Sequence, residues 1–257
     1  NIYQFTETQI LTLALVLMRT ASFVVVWPVF GTNTVPNPVK ILLALSLAIL
    51  MYPIARLHLP TAYNFNDNIV WLGMREVAVG LILGFLSRLF FFSISFAGHM
   101  IDVATGLSSA QIFNPVLGEN GAVMEQFQIA LATLFFLFIN GHHIFLTGLG
   151  DSYRLLPIAI KGISFSEFKN IAGMGQEMLL IGFRMAAPVV VALFITNLAM
   201  GIIGRAVPQL NVLLTSVSVT VLLGLMVMFI TMPLFASEMN QLMMHAANRL
   251  FGVLRAL

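Results

Sequence analysis

Residues 69–104 read IVWLGMREVAVGLILGFLSRLFFFSISFAGHMIDVA, an almost wholly apolar stretch that nevertheless carries Arg75, Glu76, Arg88 and Asp102. The run is long enough to cross a hydrocarbon core about 30 Å thick at about 1.5 Å per helical residue. The four charges oppose that reading. Near a span centre each costs about 2.5–3.5 kcal/mol, on the order of 10–14 kcal/mol together, and Leu, Ile, Phe and Val return only about 0.3–0.6 each. Two independent lipid-facing helices are therefore disfavoured here. Pairing within one helix does not remove the cost. Glu76 and Arg88 would lie about 18 Å apart along the axis, and adjacent Arg75 and Glu76 point to different faces. Their partners are expected on other helices, on other subunits or in water.

The rest of the chain has the same character. Of its 257 residues 59% are hydrophobic and 9% charged, with 12 Lys and Arg against 10 Asp and Glu. A soluble domain of this length would carry about 25% charged residues, roughly 64. So few charges cannot cover a soluble surface, and the composition is that of a membrane protein. Disorder, a disulfide scaffold and nucleic-acid binding are excluded in the same step. The net charge of +2 says nothing about polyanions. Without cysteine there are no disulfides and no thiolate metal sites. Residues 1–9 lack a basic n-region, so no cleavable signal peptide is expected.

Longer uncharged stretches cover residues 20–39, 126–150, 185–204 and 206–237, each sufficient for a span. Shorter ones cover 41–55, 77–87 and 89–101. Polar loops fall near 31–37, 56–68, 108–121 and 151–175. In the last, Ser164 and Glu167 have capping-box spacing, which predicts a short surface helix. Gly80 and Gly84, with Ser87 on nearly the same face, let backbones approach. Packing inside the chain is the simpler reading, and a subunit contact fits the same pattern. Lys and Arg are spread too evenly to orient the chain.

No phosphate-binding loop, His-Glu-x-x-His pair or nucleophile elbow is present. No catalytic, cofactor or metal residues are therefore assigned, and an enzyme is not expected. His142 and His143 are adjacent and would project about 100° apart on a helix, poorly placed to share a metal. Gly148, Gly150 and Asp151 match the Gly-x-Gly-Asp pattern of intramembrane aspartyl proteases, with Asp102 as a second carboxylate. That four-residue match is weak in a glycine-rich chain. Phe90, Phe91, Phe92 and Phe96 read as lipid-facing or core packing, and the 15 methionines as core packing.

Two segments stand apart. Residues 106–121 set Gly106, Ser108, Ser109, Gln111, Asn114, Pro115 and Gly118 among Leu107, Ile112 and Phe113. Irregular backbone at membrane depth survives only inside protein or along an aqueous cavity, and apolar residues on such a frame can close a pore. An ordinary turn between spans fits equally well. Residues 204–211 read GRAVPQLN, where Pro208 predicts a turn, Arg205 can neutralise helix-end carbonyls, and Gln209 and Asn211 can bond exposed backbone. Residues 176–204 and 211–253 then form one long helical hairpin. Thr215, Ser216, Ser218 and Thr220 give its second arm a polar patch suited to partner helices, and Pro233 marks a possible kink.

Taken together the residues resemble the FliR family of flagellar type III export-gate proteins, whose counterpart in virulence secretion is SctT. The resemblance rests on Arg19 with Pro28, on Arg75-Glu76 with Gly80 and Gly84, and on Ala97-Gly98 running through Ile101-Asp102 to Gly106-Leu107-Ser108. It continues through Asn114-Pro115, Asn140-Gly141-His142, Leu155-Leu156-Pro157, Arg184 with Ala187-Pro188, and the turn at 205–211. Asn114 stands where Asp is common in the family, and no Gly-Phe-Pro-like run follows Asn211.

The resemblance implies an all-α membrane protein of long helical hairpins. A FliP-like part, residues 1–175 with an inserted loop at 106–121, would join a FliQ-like hairpin at 176–257. It also implies a non-enzymatic gate subunit in the bacterial inner membrane, within the flagellar basal body and its surrounding ring. FliP-like and FliQ-like subunits would assemble with it, an FlhB-like protein would contact it, and unfolded substrates would pass. The family's plug maps onto residues 106–121, with Ile112 and Phe113 as occluding side chains. Arg19, Glu76, Arg88, Asp102, Arg184 and Arg205 then read as interhelical or intersubunit charges, with Pro208, Gln209 and Asn211 shaping the turn. A homo-oligomeric transporter or small channel is the alternative from another class.

Overall fold

A computed structural model describes residues 6–32, 35–59, 69–106, 122–158, 168–207, 209 and 211–256. Every regular element among them is an α-helix: α1 (Glu7–Val26), α2 (Asn37–Leu57), α3 (Ile69–Thr105), α4 (Val123–Phe138), α5 (Gly141–Leu155), α6 (Phe168–Ala206), α7 (Val212–Ile230) and α8 (Met232–Ala256). Four of these, α1, α2, α3 and α6, are long and apolar enough to cross a membrane. Two bent pairs, α4 with α5 and α7 with α8, pass the same test, giving up to six spans. The chain is an all-α membrane protein. Residues 69–105 form one continuous helix. The short helix expected around Ser164 and Glu167 lies outside the described residues.

Contacts divide the chain into two compact units, residues 1–89, 140–174 and 245–257 in one and residues 90–139 and 175–244 in the other. In the first, α1 opens with a capping box in which Thr6 N donates to Gln9 Oε1 at 3.0 Å. Its apolar face buries Leu15, Val16, Phe23 and Trp27. The close approach of α3 explains Gly80 and Gly84. A Cβ at Gly80 would strike Ser22 Oγ and the Arg19 carbonyl, and one at Gly84 would lie 3.0 Å from the Phe23 carbonyl. Packing inside the chain accounts for both glycines. Thr20 Oγ1 reaches the Ala44 carbonyl of α2 at 3.3 Å, and Gly148 of α5 makes room for Leu250 of α8.

In the second unit Phe90 and Phe91 pack on Phe136 of α4, with ring centroids 5.9 and 5.4 Å apart. Phe90 and Phe91 are core, while Phe92 is exposed on the apolar helix, and the reading of the run as lipid-facing or core packing accommodates both. Gly182 lets α6 settle on α3, where a Cβ would stand 2.5 Å from the Ser93 carbonyl. Leu193 of α6 meets Gly224 of α7, while the earlier Met185 and Val189 share a small cavity with the later Met228 and Met232. Residues advancing along α6 thus meet residues receding along α7, which makes the pair an antiparallel hairpin. The second arm bends by 62° at Thr231. Pro233 stands beside the break, within the first turn of α8, where its missing N–H costs little. This is the kink expected from the sequence.

Candidate functional site

Two polar clusters are built into this apolar frame. The first gathers around Arg19, which is fully buried. Its Nε donates to Glu76 Oε2 at 2.6 Å, Nη1 to Ser152 Oγ at 3.0 Å and Nη2 to the Leu156 carbonyl at 2.9 Å. The guanidinium carbon stands 4.2 Å from the centroid of the Tyr153 ring, whose hydroxyl donates to the Val16 carbonyl at 3.2 Å. Arg75 adds donors from Nη1 to the Ile158 carbonyl at 3.2 Å and from Nη2 to the Pro157 carbonyl at 2.8 Å. Just beyond the end of α5 at Leu155 the chain leaves helical hydrogen bonding, and two arginines from α1 and α3 take three consecutive carbonyls there. The planar fork of Arg suits this task, and a buried ion pair persists only with such added hydrogen bonds. Arg19, Arg75-Glu76 and Leu155-Leu156-Pro157, distant in the sequence, are parts of one fastening. The Glu76–Arg19 pairing itself was not legible beforehand. Its only signal was that both residues sit inside apolar runs.

The second cluster surrounds Asp102, whose side chain is fully buried. Helix α4 begins after Ala122, which has no capping group. Asp102 supplies the cap from α3 instead: Oδ1 accepts from Met124 N at 3.0 Å and Oδ2 from Glu125 N at 2.9 Å. Negative charge at a helix N-terminus is favourable through both hydrogen bonds and the helix dipole. Gly98, one turn earlier, permits the approach, since a Cβ there would lie 2.5 Å from Glu125 Cα. Ser95 Oγ donates to the Glu125 carboxylate, and His99 Nδ1 lies 3.8 Å from Glu125 Oε2. The last turn of α3 is held too. Thr105 Oγ1 donates to the Asp102 carbonyl at 2.9 Å, Asn197 Nδ2 of α6 to the Ala104 carbonyl at 3.3 Å, and Thr220 Oγ1 of α7 to the Thr105 carbonyl at 2.8 Å. Thr220, expected to face partner helices, is buried against α3 within the chain.

The other charges expected to act at contacts behave differently. Arg88 on α3 and Arg184 and Arg205 on α6 are exposed, and among the described residues none of them has an ion pair or hydrogen bond. Arg205 occupies the last turn of α6, where its charge offsets the helix-end carbonyls. Gln209 is exposed, and Asn211 opens α7, its carbonyl accepting from Thr215 N at 3.1 Å. Pro208 lies outside the described residues, as do Leu107, Ser108, Ser109, Gln111, Ile112, Phe113, Asn114, Pro115 and Gly118. Of the loop residues named from the sequence only Gly106 is described, and its φ of +78° ends α3.

Neither carboxylate of the proposed protease pair is poised for that chemistry. Both oxygens of Asp102 are taken by backbone amides, and Asp151 pairs with Arg154 at 3.4 Å. The rings of His142 and His143 lie 4.3 Å apart between centroids. Among the described residues no three His, Asp or Glu side chains gather as a metal site. What the geometry provides is fastening of helices, together with cations left outward on apolar helices.

Comparison with known proteins gives this geometry a context. The family model described as bacterial export proteins, family 1, matches residues 10–246. The chain is 31% identical over 221 residues to the flagellar biosynthetic protein FliR of Bacillus subtilis (strain 168), covering 85% of each chain. It is 32% identical over 230 residues to FliR of Pectobacterium carotovorum subsp. carotovorum, covering 90% of this chain and 87% of that protein. Against FliR of Escherichia coli (strain K12) the identity is 28% over 241 residues, covering 94% and 92%.

Proposed function

Because this chain belongs to the bacterial export proteins, family 1, and matches proteins named FliR over most of its length, we propose that it is a subunit of the flagellar type III protein export gate. In this reading it lies in the bacterial inner membrane within the basal body and its surrounding ring. It assembles with FliP-like and FliQ-like subunits and is contacted by an FlhB-like protein. Residues 1–175 form the FliP-like part, and the antiparallel hairpin within 176–257 is the FliQ-like part. Unfolded flagellar substrates pass through the assembled channel, which residues 106–121 plug at rest. The protein is a passive, non-enzymatic conduit, and its energy comes from elsewhere in the machine.

The observation that carries a multi-subunit reading is the exposure of Arg88 and Arg184 on helices that are otherwise apolar. Facing lipid near mid-span, each would cost about 2.5–3.5 kcal/mol. Phe183, Val191, Phe194, Ile195 and Leu198 are exposed on the same helix as Arg184. Such a surface is satisfied when other protein covers it and supplies carboxylate or carbonyl partners. A carrier working as a homo-oligomer could also cover it, and purification separates the two. The gate reading expects co-purification with two smaller hydrophobic proteins in fixed stoichiometry and poor stability without them. An active, stable homo-oligomer would sink it. For the plug, deleting residues 108–115 should leave the resting membrane leaky to ions, and unchanged conductance would remove that assignment.

A further inference from the structure

Asp102 does more than satisfy its own buried charge. Its two carboxylate oxygens are divided between two successive amides of α4, so a single side chain on the last turn of α3 supplies the N-terminal cap that Ala122 lacks. The same turn of α3 is tied at Ala104 to Asn197 of α6 and at Thr105 to Thr220 of α7. Four helices of one compact unit therefore meet within four residues of α3. Thr105 and Val123 are the ends of the helices flanking residues 107–121, and the Asp102 bonds to Met124 and Glu125 fix those two ends to each other.

We propose that Asp102 is a positioning residue that holds the start of α4 against the end of α3, and so sets where the chain leaves and returns around residues 107–121. Without it, the first turn of α4 loses both acceptors and has no capping side chain of its own to replace them. Nearby groups do not substitute. Glu125 is engaged by Ser95 and faces His99, and Thr105 Oγ1 is committed to the Asp102 carbonyl. Gly98 leaves no side chain between the two helices. The fastening stands on described residues alone. Its consequence for pore closure rests on the plug reading above.

The test uses the assembled membrane complex carrying Asp102→Ala or Asp102→Asn. Nitroxide labels on cysteines replacing the exposed Val103 and Val123 report the spacing of the two helix ends, since the sequence of this chain holds no other cysteine and the same complex without the two substitutions gives the background. Expected are a broader and longer label distance in Asp102→Ala and exchange of the Met124 and Glu125 amides faster by about tenfold, the size of a lost helix cap. Asp102→Asn, which keeps one acceptor but no charge, should fall between, and Asp102→Glu should recover part of the protection. Unchanged distances and exchange in Asp102→Ala would overturn the proposal. So would failure of both Asp102→Ala and Asp102→Asn to assemble, since the residue would then serve assembly alone. Ion leak is read separately. If deletion of 108–115 leaks and Asp102→Ala adds no further leak to it, fastening and plug act together. Additive leaks would overturn that link. If the deletion does not leak, the plug reading fails while the label distances still decide the fastening.

Discussion

Arg19 gives up its hydration on burial and recovers it through a carboxylate, a hydroxyl, a carbonyl and an aromatic face. This makes the arrangement sensitive to which partner is removed. Glu76→Ala would strand the guanidinium in an apolar interior, a loss of about 3–5 kcal/mol. Glu76→Gln keeps an acceptor of the same shape and should cost less. Replacing both partners with apolar residues, Arg19→Met with Glu76→Leu, removes the stranded charge and should be less harmful than Glu76→Ala alone. Thermal melting of the purified complex orders the three variants. A double variant no more stable than Glu76→Ala would show that the hydrogen bonds to Ser152 and Leu156, and not the ion pair, hold the site.

At the scale of helices, small residues and special backbone positions decide which elements touch. Gly80 faces the α1 backbone closely enough that Gly80→Ala forces a shift, at about 1–3 kcal/mol. Gly201, with nothing within 4 Å of an added Cβ, should instead gain up to about 1 kcal/mol from Ala in a helix. Melting of the two variants in opposite directions is the expected result. A destabilised assembly in Gly201→Ala would place a partner helix against that face. Asn140 supplies the break between α4 and α5 by adopting φ 56° and ψ 31°, a left-handed conformation that Asn tolerates and β-branched residues do not. This explains locally why Asn140-Gly141 stands in an otherwise apolar run. The kink near Pro233 was legible for the same reason, because its cause lies in the residue itself. The cap of α4 was not. Ala122 gives no sign of it, and the capping group comes from 20 residues upstream of it, at Asp102.

For the whole molecule, the outward arginines separate the chain's own stability from its assembly. Arg184→Leu and Arg205→Ala remove exposed side chains that have no partners among the described residues, so unfolding of the chain should change by no more than about 0.5 kcal/mol. Recovery with partner subunits should fall, and recovery should fall before transport is tested. Normal assembly of both variants would count against a subunit role for these cations. Composition by itself determined that the chain is a membrane protein, because 9% charged residues cannot clothe a soluble surface, and the long uncharged runs suit helical spans. The placement of charges within apolar runs also required partners beyond each helix. Which partners they are was decided only by tertiary structure. Glu76 and Asp102 find theirs inside the chain, at Arg19 and at the start of α4, while Arg88 and Arg184 remain outward. Hydropathy is a sum over neighbours in sequence, whereas pairing depends on which helix faces approach in space. No local pattern in the sequence carries that second quantity.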